Sequence, residues 1–306
     1  MNLRIILSLL FLFTCLIGSG QDSARYYVRH GVLMAKIGNY PDALKNFNLA
    51  IAADSLKAEA WYNRGLVQYQ VMDYQAAAND LTHAIRLKPG YPEPWFARAQ
   101  AKERLNDLDG AIQDYSKAIS AKADYALAFL NRGLVWMQKK EMMQAIMDFT
   151  RAIQYQPDLT EAYYNRGLAR FNEKMYGAAL TDLNEALKLD PGQPQYVATR
   201  GALKATQGLY EEALLDLDKA LSLDPGNPEA RQNRALARLH LALYDDARRD
   251  YEYLIRADSS DAEAWTGRGV SRQYLDDRKG ACEDWNRAME LGSAKAGAYV
   301  EKYCRQ

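Results

Sequence analysis

The chain has 306 residues, and its 39 basic residues (Lys and Arg) balance its 39 acidic residues (Asp and Glu), which leaves a formal net charge of zero at pH 7. This balance argues against nucleic acid as the main partner, because proteins that bind phosphate backbones carry an excess of Lys and Arg. The length suggests about two domains, but the internal repetition described below predicts one continuous array of repeats.

The first 20 residues are predicted to be a secretory signal peptide. Arg4 lies in a short start, residues 5–17 form an apolar run, and residues 18–20 supply the small side chains that cleavage requires. We expect cleavage before Gln21 and export to the periplasm or the outer membrane of a bacterium. After cleavage we expect no transmembrane segment.

Two other interpretations of this segment stay open. Residues 12–15 could be a poor lipoprotein cleavage box with lipid on Cys15, although Thr14 before the Cys is unfavourable. Alternatively, the segment is an uncleaved membrane anchor, although its apolar run of 13 residues falls short of the roughly 20 that span a bilayer.

From Ala24 to Lys295 the sequence repeats a frame of 34 residues eight times without an insertion. Repeats 1 to 8 are 24–57, 58–91, 92–125, 126–159, 160–193, 194–227, 228–261 and 262–295. Counted from offset 1 at the start of each repeat, offset 20 is always Ala and offset 8 is always Gly or Ala. Two antiparallel helices approach closely only where side chains are small. The pattern therefore predicts helix-turn-helix units, with offset 8 on the first helix and offset 20 on the second.

Repeat 5 shows the frame most clearly. It contains Tyr163, Gly167, Tyr176, Ala179, Leu183, Ala186 and Pro191 at the recurring offsets. This spacing resembles the tetratricopeptide (TPR) repeat, whose period is about 34 residues. The resemblance implies an all-α fold, a right-handed superhelical solenoid of eight helix-turn-helix TPR repeats with a concave binding face.

The sequence departs from the TPR pattern in three places. Offset 11, usually aromatic in the family, is basic at Lys102, Arg170, Lys204, Arg238 and Arg272, and offset 7, usually apolar, is Arg in seven repeats. Repeat 7 departs furthest, with Arg231 at offset 4 and Leu254 at offset 27. We expect repeat 7 to pack the most loosely.

The Arg at offset 7 recurs together with an Asp at offset 23 in repeats 2 to 8. Repeat 1 lacks both, because His30 and Asn46 take their places. This joint absence predicts an Arg–carboxylate pair within each repeat and not across a repeat boundary. The pairs are interpreted as structural, since each Asp neutralises an Arg; an anion-binding ladder is the functional alternative.

The tail, residues 296–306, is predicted to be a C-terminal capping helix that covers the exposed apolar end of the array. Cys282 lies on the last second helix and Cys304 on this tail. We expect two small, partly buried thiols. A disulfide is the alternative, since export makes one possible and it would need the two Cβ atoms about 3.8 Å apart.

The TPR resemblance implies that ligands contact the concave face of the first helices, in particular at offsets 5, 6, 9 and 12. Offsets 5, 9 and 12 share one helix face by their spacing and are mostly apolar in repeats 2, 4 and 5, while offset 6 is often Asn. An Asn amide can both donate to and accept from one peptide unit. The peptide-binding candidates are Tyr62, Asn63, Leu66, Tyr69, Phe96, Asn131, Leu134, Met137, Tyr164, Asn165, Leu168, Phe171 and Asn233.

Two alternatives to a peptide groove stay open. The apolar side chains could pack on one another, and the Asn residues could be a common form of this repeat. The carboxylate clamp of chaperone-binding TPR domains is absent, because no repeat has its Lys at offset 5 or its Asn at offset 9.

The sequence offers no catalytic or metal-binding motif. The three His residues lie in three different repeats at unrelated offsets, and no HExxH, P-loop, GxSxG or CxxC motif is present. We therefore predict a non-enzymatic scaffold without a cofactor that binds a protein or peptide segment in the cell envelope. The alternatives are a structural component of an envelope complex, which uses its outer face or self-associates, and a carrier of a non-protein ligand such as a glycan.

Overall fold

The computed structural model describes the backbone of residues 3–305 and the side chains of residues 20–305. Cys15 and the rest of the predicted signal segment up to residue 19 lie outside the described side chains, and Gln306 at the end of the predicted cap lies outside the described residues. Within residues 3–305 the chain forms helices and turns, with no strand. The expected all-α fold is thus confirmed.

The chain divides into two compact units, Met1–Pro157 (unit 1) and Asp158–Gln306 (unit 2). The helices of unit 1 are α1 (Leu3–Lys36), α2 (Tyr40–Ala53), α3 (Ala58–Gln70), α4 (Tyr74–Leu87), α5 (Pro92–Arg104), α6 (Leu108–Ala121), α7 (Ala126–Gln138) and α8 (Met142–Tyr155). Those of unit 2 are α9 (Thr160–Asn172), α10 (Tyr176–Leu189), α11 (Pro194–Thr206), α12 (Tyr210–Leu223), α13 (Pro228–His240), α14 (Tyr244–Ala257), α15 (Ala262–Tyr274), α16 (Arg278–Glu290) and α17 (Ala294–Tyr303).

Helix α1 includes residues 3–20 of the predicted signal segment and the first helix of repeat 1. The predicted cleavage point before Gln21 therefore lies within a helix, and cleavage there stays a prediction. Over the part of the chain that the structure describes, no helix combines the length and apolar character needed to cross a membrane.

Local sequence signals explain where the helices begin. The side chains of Asn39, Asp73 and Asp107 each accept a hydrogen bond from the backbone N–H three residues later at the start of a second helix. This satisfies one of the backbone donors that every helix start leaves open. The residue before the cap turns the chain in the left-handed region, with a φ of 77° at Gly38, a conformation that glycine adopts without strain.

Small residues at offset 8 let the two helices of a repeat pack closely, as predicted. A Cβ atom added at Gly133 in unit 1 would lie 2.6 Å from the ring of Phe149, and one added at Gly269 in unit 2 would lie 2.5 Å from the indole nitrogen of Trp285. The large side chain at offset 24 therefore occupies the space that the missing side chain leaves, and both rings are buried.

The predicted Arg–Asp pairs form within single repeats. In unit 1 the guanidinium group of Arg98 donates from both Nε and Nη2 to the two carboxylate oxygens of Asp114, at 2.8 and 2.7 Å. In unit 2 Arg200 binds Asp216 in the same way, at 2.8 and 2.6 Å. The seven Asp residues of this set are buried: Asp80, Asp114, Asp148, Asp182, Asp216, Asp250 and Asp284.

The unusual basic residues at offset 11 complete these clusters. Each places a second cation on the same carboxylate: Lys102 on Asp114, Arg170 on Asp182, Lys204 on Asp216, Arg238 on Asp250 and Arg272 on Asp284. The Asp thus already occupies the position that an external anion would take, which supports the structural interpretation of the pairs.

Repeat 7 holds a guanidinium group at offset 4, where six of the other seven repeats hold an aromatic ring and repeat 6 holds Val197. The Arg231 guanidinium carbon lies 3.7 Å from the ring centroid of Tyr253, and Nη2 donates to the carbonyl of Pro225 at 2.7 Å. Helix α13 buries only alanines, Ala230, Ala235 and Ala237. Polar contacts therefore replace part of the apolar packing in this repeat.

The C-terminal helix α17 packs on α16 through aromatic rings and a disulfide. Tyr299 stacks on Trp285 with ring centroids 5.0 Å apart. Cys282 and Cys304 are bonded, with an S–S distance of 2.01 Å and Cα atoms 5.8 Å apart. Our expectation of two free thiols is therefore wrong, because the packing of α17 on α16 brings the two side chains together.

Candidate functional site

The candidate residues of repeat 2 form one cluster on the first-helix face of unit 1, the face of the first helices that carries offsets 5, 6, 9 and 12. Tyr62, Leu66 and Tyr69 all pack against buried side chains of α4 and α5. The ring of Tyr62 lies 5.3 Å from that of Tyr91. All three candidates remain half-buried, so part of each side chain faces solvent.

The candidate of repeat 3, Phe96, packs against a separate buried cluster of unit 1. Its ring stacks on Tyr125 at a centroid distance of 5.1 Å and meets the edge of Tyr115 at 5.5 Å. The buried hydroxyl of Tyr115 donates a hydrogen bond to Glu103. Burial, and then the charge of Glu93, raise the pKa of Tyr125 to about 12, so this ring stays neutral at physiological pH.

The candidates of repeat 4, Leu134 and Met137, are half-buried on α7. Leu130, at offset 5 of the same helix, is only 3% exposed. The face of this repeat therefore presents offsets 9 and 12 to solvent but not offset 5.

In repeat 5 the candidate side chains are part of the core of unit 2. Tyr164 is 7% exposed and stacks on Tyr196 of the next repeat at 4.4 Å, and its hydroxyl lies 3.2 Å from Thr199 Oγ1. Leu168 and Phe171 pack against the same buried cluster. At Tyr164 the chain's own packing thus fills the face, which is the self-packing alternative that the sequence left open, while Leu168 and Phe171 remain half-buried.

The four Asn candidates use their amide N–H groups within their own helices. The Nδ2 atoms of Asn63, Asn131, Asn165 and Asn233 each donate to the backbone carbonyl four residues earlier, at 2.6 to 2.9 Å. This bond uses one of the two N–H groups of each amide, so the second N–H and the Oδ1 acceptor are what these side chains offer to a bound segment.

Unit 1 has an open pocket of about 390 Å³ between the first helices of repeats 1 and 2, here called the N-terminal pocket. Two of the candidates, Asn63 and Leu66, line it together with Val32, Lys36 and Gln70. The walls are thus mainly apolar, with the amide groups of Asn63 and Gln70 and the ammonium group of Lys36 as polar groups.

Unit 2 has a second pocket, of about 480 Å³, here called the C-terminal pocket. Its lining comes from four helices: Gln232, Leu236 and Leu239 on α13, Tyr251 on α14, Glu263, Thr266 and Val270 on α15, and Ser293, Lys295 and Tyr299 on α17 with its N-cap. None of these residues was a sequence candidate. The signal that could have found the pocket is Thr266-Gly267 at offsets 5 and 6, where repeats 2 and 5 have Tyr-Asn.

The histidines on the second helix of repeat 2 and on α13 lie against aromatic rings. His83 stacks on Trp61 at 4.4 Å, and His240 stacks on Tyr210 at 4.2 Å. Among the described residues, no group of three or more His, Cys, Asp or Glu side chains is arranged to hold a metal ion.

Both units consist of helical hairpins that recur every 34 residues and pack side by side, which defines a helical-repeat protein of the solenoid class. Two sequence models of the tetratricopeptide repeat match the chain, one at residues 160–193 and the other at 29–92, 69–126, 96–149, 199–261 and 233–272. The matches cover more than half of the chain, which therefore belongs to the tetratricopeptide repeat family.

Several solved structures share this fold. A tetratricopeptide repeat protein from Parabacteroides merdae has a TM-score of 0.59 at 19% identity, over 80% of this chain and 96% of that one. Pseudomonas aeruginosa pilF has a TM-score of 0.60 at 20% identity, over 69% and 96%. YrrB, described as a TPR protein with an unusual peptide-binding site, has a TM-score of 0.55 at 21% identity, over 61% and 97%. Among curated protein sequences, none matches the chain significantly.

Proposed function

We propose that this protein is a non-enzymatic interaction scaffold that holds a segment of a partner protein against the first-helix face of unit 1. The observation that carries the proposal is the N-terminal pocket, which opens between two first helices and has sequence candidates on its wall. Repeats of this family build interaction scaffolds, and the similar protein YrrB is described as having a peptide-binding site.

The chemistry of this pocket suits an extended polypeptide. Val32 and Leu66 offer apolar surface to a side chain, while the Asn63 Oδ1 atom and the exposed Gln70 amide offer hydrogen bonds to a peptide backbone. The half-buried rings of Tyr62 and Tyr69 extend the apolar surface along α3. Recognition by hydrogen bonds and apolar contact agrees with the zero net charge of the chain.

We place the protein in the bacterial cell envelope. The predicted signal segment supports this proposal, and so does the Cys282–Cys304 bond, because disulfides persist in exported proteins and are rare in the reducing cytosol. The mass of the protein purified from its native host tests the export step. Removal of residues 1–20 is the expected result, and a chain that keeps its N-terminal Met and lies in the cytosol would contradict it.

Site-specific photo-crosslinking tests the binding face. A photo-reactive amino acid at Gln70, which lines the pocket and is exposed, should link to one peptide segment of an envelope protein. The matched control is Asn79, an exposed amide on the second helix of the same repeat. The same adducts at both positions, or none at Gln70, would contradict the proposal.

A second candidate function is assembly through the outer face of the second helices. Met143 and Met147, one turn apart on α8, are 53% and 67% exposed. Such an exposed pair of flexible apolar side chains suits a contact with another protein or with a second copy. If this role holds, M143K with M147K should shift a wild-type oligomer to monomer in light scattering, and wild type that is already monomeric would argue against self-association.

A further inference from the structure

Within each unit, a first helix packs on the preceding repeat through the residues at offsets 3, 7 and 10. Ala128 and Val135, at offsets 3 and 10 of repeat 4, lie in one buried cluster with Tyr115 of repeat 3. At offset 7, Arg98 Nη1 donates to Thr82 Oγ1 of the preceding repeat at 2.8 Å. The residues at offsets 3 and 10 are buried in all of repeats 2 to 8. These three offsets therefore form the surface on which neighbouring repeats meet.

In the described part of the chain, the first helix of repeat 1 leaves this surface uncovered. No second helix precedes it, because α1 is one helix from Leu3 to Lys36. Tyr26 at offset 3 is 56% exposed, Leu33 at offset 10 is 52% exposed, and Ile37 at offset 14 is 66% exposed. The half-buried ring of His30 at offset 7 lies 4.0 Å from that of Tyr26. These four residues, here called the N-terminal stripe, expose a surface of the kind that repeats 2 to 8 bury.

The N-terminal stripe contains no Lys, Arg, Asp or Glu. Repeats 2 to 8 have Arg at offset 7 and Asp at offset 23, whereas repeat 1 has His30 and Asn46 at these offsets. A neutral imidazole enters an apolar contact at a lower cost than a guanidinium group would. The residue change at offset 7 thus leaves a stripe that can be buried against another apolar surface.

The end of unit 2 has a polar surface instead. Helix α17 packs on α16, and its exposed side chains include Lys295, Glu301 and Lys302. An apolar stripe docked on these charged groups would remove them from water without pairing them. Contact between the N-terminal stripe of one copy and the α17 surface of another is therefore unfavourable, and so is a filament of copies joined in that way.

The spacing of the N-terminal stripe fits a second copy of the same stripe. Its residues are 4, 3 and 4 positions apart, which is the spacing of the contact positions in a two-stranded coiled coil. This spacing reads the same in both directions along the helix. Two antiparallel α1 helices about a two-fold axis therefore place Tyr26 opposite Ile37 of the second copy. The same axis places His30 opposite Leu33 of the second copy.

We propose that two copies of this protein pair through their N-terminal stripes, with the two α1 helices antiparallel. The pairing removes apolar side chains from water, which is the driving force for the contact. Because both copies use the same surface, the contact closes at two copies and leaves no stripe free for a third. It uses neither the N-terminal pocket nor Met143 and Met147, so it goes beyond both functions proposed above.

Analytical ultracentrifugation of the purified protein tests the pairing. The wild type should form a dimer, and Leu33→Lys should raise its dissociation constant about 100-fold, because each copy would bury an ammonium group near the two-fold axis. Leu215→Lys on α12, where the Leu is 73% exposed, is the matched control and should dimerise as the wild type does. A wild type that stays monomeric, or a dimer that Leu33→Lys leaves intact, would overturn the proposal.

Cysteine crosslinking tests the antiparallel arrangement. Tyr26→Cys together with Ile37→Cys should give a disulfide-linked dimer on mild oxidation, because these positions oppose each other across the contact. Within one chain the two positions lie about 16 Å apart along α1, which is too far for a bridge. Tyr26→Cys alone should not link two copies. Linkage of the single variant, or none in the double variant, would contradict antiparallel pairing.

The same variants distinguish other occupants of the stripe. If the wild type is monomeric and floats with phosphatidylethanolamine–phosphatidylglycerol vesicles, and Leu33→Lys abolishes flotation, the stripe binds a membrane and the proposal fails. It also fails if M143K with M147K dissociates the dimer and Leu33→Lys does not, because the contact is then the outer face of α8. Photo-crosslinking at Gln70 reports on the N-terminal pocket alone, so the proposed function stands or fails separately.

Discussion

Within unit 2, repeats 5 and 6 and repeats 7 and 8 share one helical frame but differ in what fills the first-helix face. In repeat 5, Tyr164 extends to Tyr196 of the next repeat and closes the face. In repeat 7 the same offset is Gln232, and in repeat 8 it is Thr266, beside the C-terminal pocket. The fold therefore depends on the residues between paired helices, while the residues at offset 5 differ between the filled face of repeat 5 and the face of repeats 7 and 8 that borders the C-terminal pocket.

The largest loss of stability is expected for the buried Asp at offset 23, which both pairs of repeats share. Asp182→Leu in repeat 5 removes the carboxylate that binds Arg166 and Arg170, and Asp284→Leu in repeat 8 does the same to Arg268 and Arg272. Each change should lower the free energy of unfolding by about 3–5 kcal/mol, because buried cations lose their counter-charge. Urea denaturation measures this. Glu185→Leu on the surface of α10 is the control and should cost under about 1 kcal/mol.

A loss below about 1 kcal/mol for either buried Asp would show that the pairs are not effectively buried. A large loss at Asp182 alone would instead show that the polar clusters differ between the two pairs of repeats.

Repeats 5 and 8 should differ in how much stability they lose when the residue at offset 5 is replaced by Ala. Tyr164→Ala should cost about 3 kcal/mol, because it removes a buried ring and leaves a cavity beside Tyr196. Thr266→Ala, at the same offset beside an existing pocket, should cost about 1 kcal/mol, chiefly for its hydroxyl contacts. Equal losses in thermal or urea unfolding would mean that the closed and open faces do not differ in packing.

The disulfide should stabilise only the C-terminal end of unit 2, where α17 packs on repeat 8. It closes a loop with a sequence separation of 22, and replacing Cys282 and Cys304 by Ala together should cost about 2 kcal/mol. Hydrogen exchange should quicken in α17 and stay unchanged in α9 and α11. Faster exchange throughout unit 2 would contradict a local role.

A smaller effect on stability is expected at acidic pH for Asp216 in repeat 6. Burial alone would raise the pKa of Asp216, but hydrogen bonds and charges from Arg200 and Lys204 outweigh it and lower the pKa below its usual value. The resulting stability is present above the usual carboxyl pKa of about 4 and disappears as the pH falls through the lowered value. Asp216→Asn should therefore lose less stability than wild type between pH 5 and pH 2. Parallel losses would contradict this account.

The sequence predicts features that recur within one repeat. The period, the small residues at offset 8 and the Arg–Asp pair all follow from comparing repeats, and the joint absence at His30 and Asn46 correctly indicated a pair within the repeat. The second cation at offset 11 was visible only as a departure from the family. Its role as a second partner of the buried Asp became clear only from the ion pairs in the structure.

Features that depend on differences between neighbouring repeats were not predictable. The Tyr164–Tyr196 stack joins offset 5 of one repeat to offset 3 of the next, so no single position shows it. The C-terminal pocket arises where side-chain volume is missing, which a search for conspicuous residues overlooks. The disulfide depends on how α17 packs on α16, which the spacing of Cys282 and Cys304 does not fix.

Photo-crosslinking at two equivalent positions tests the central claim most directly. Leu168 in repeat 5 and Leu236 in repeat 7 both lie at offset 9, but Leu168 is half-buried against the core cluster of unit 2, whereas Leu236 is 41% exposed beside the C-terminal pocket. A photo-reactive residue at position 236 should link to a segment of a partner protein in the native envelope, and one at position 168 should not. Equal yields at the two positions, or no adduct at position 236, would contradict a scaffold whose open repeats receive a partner.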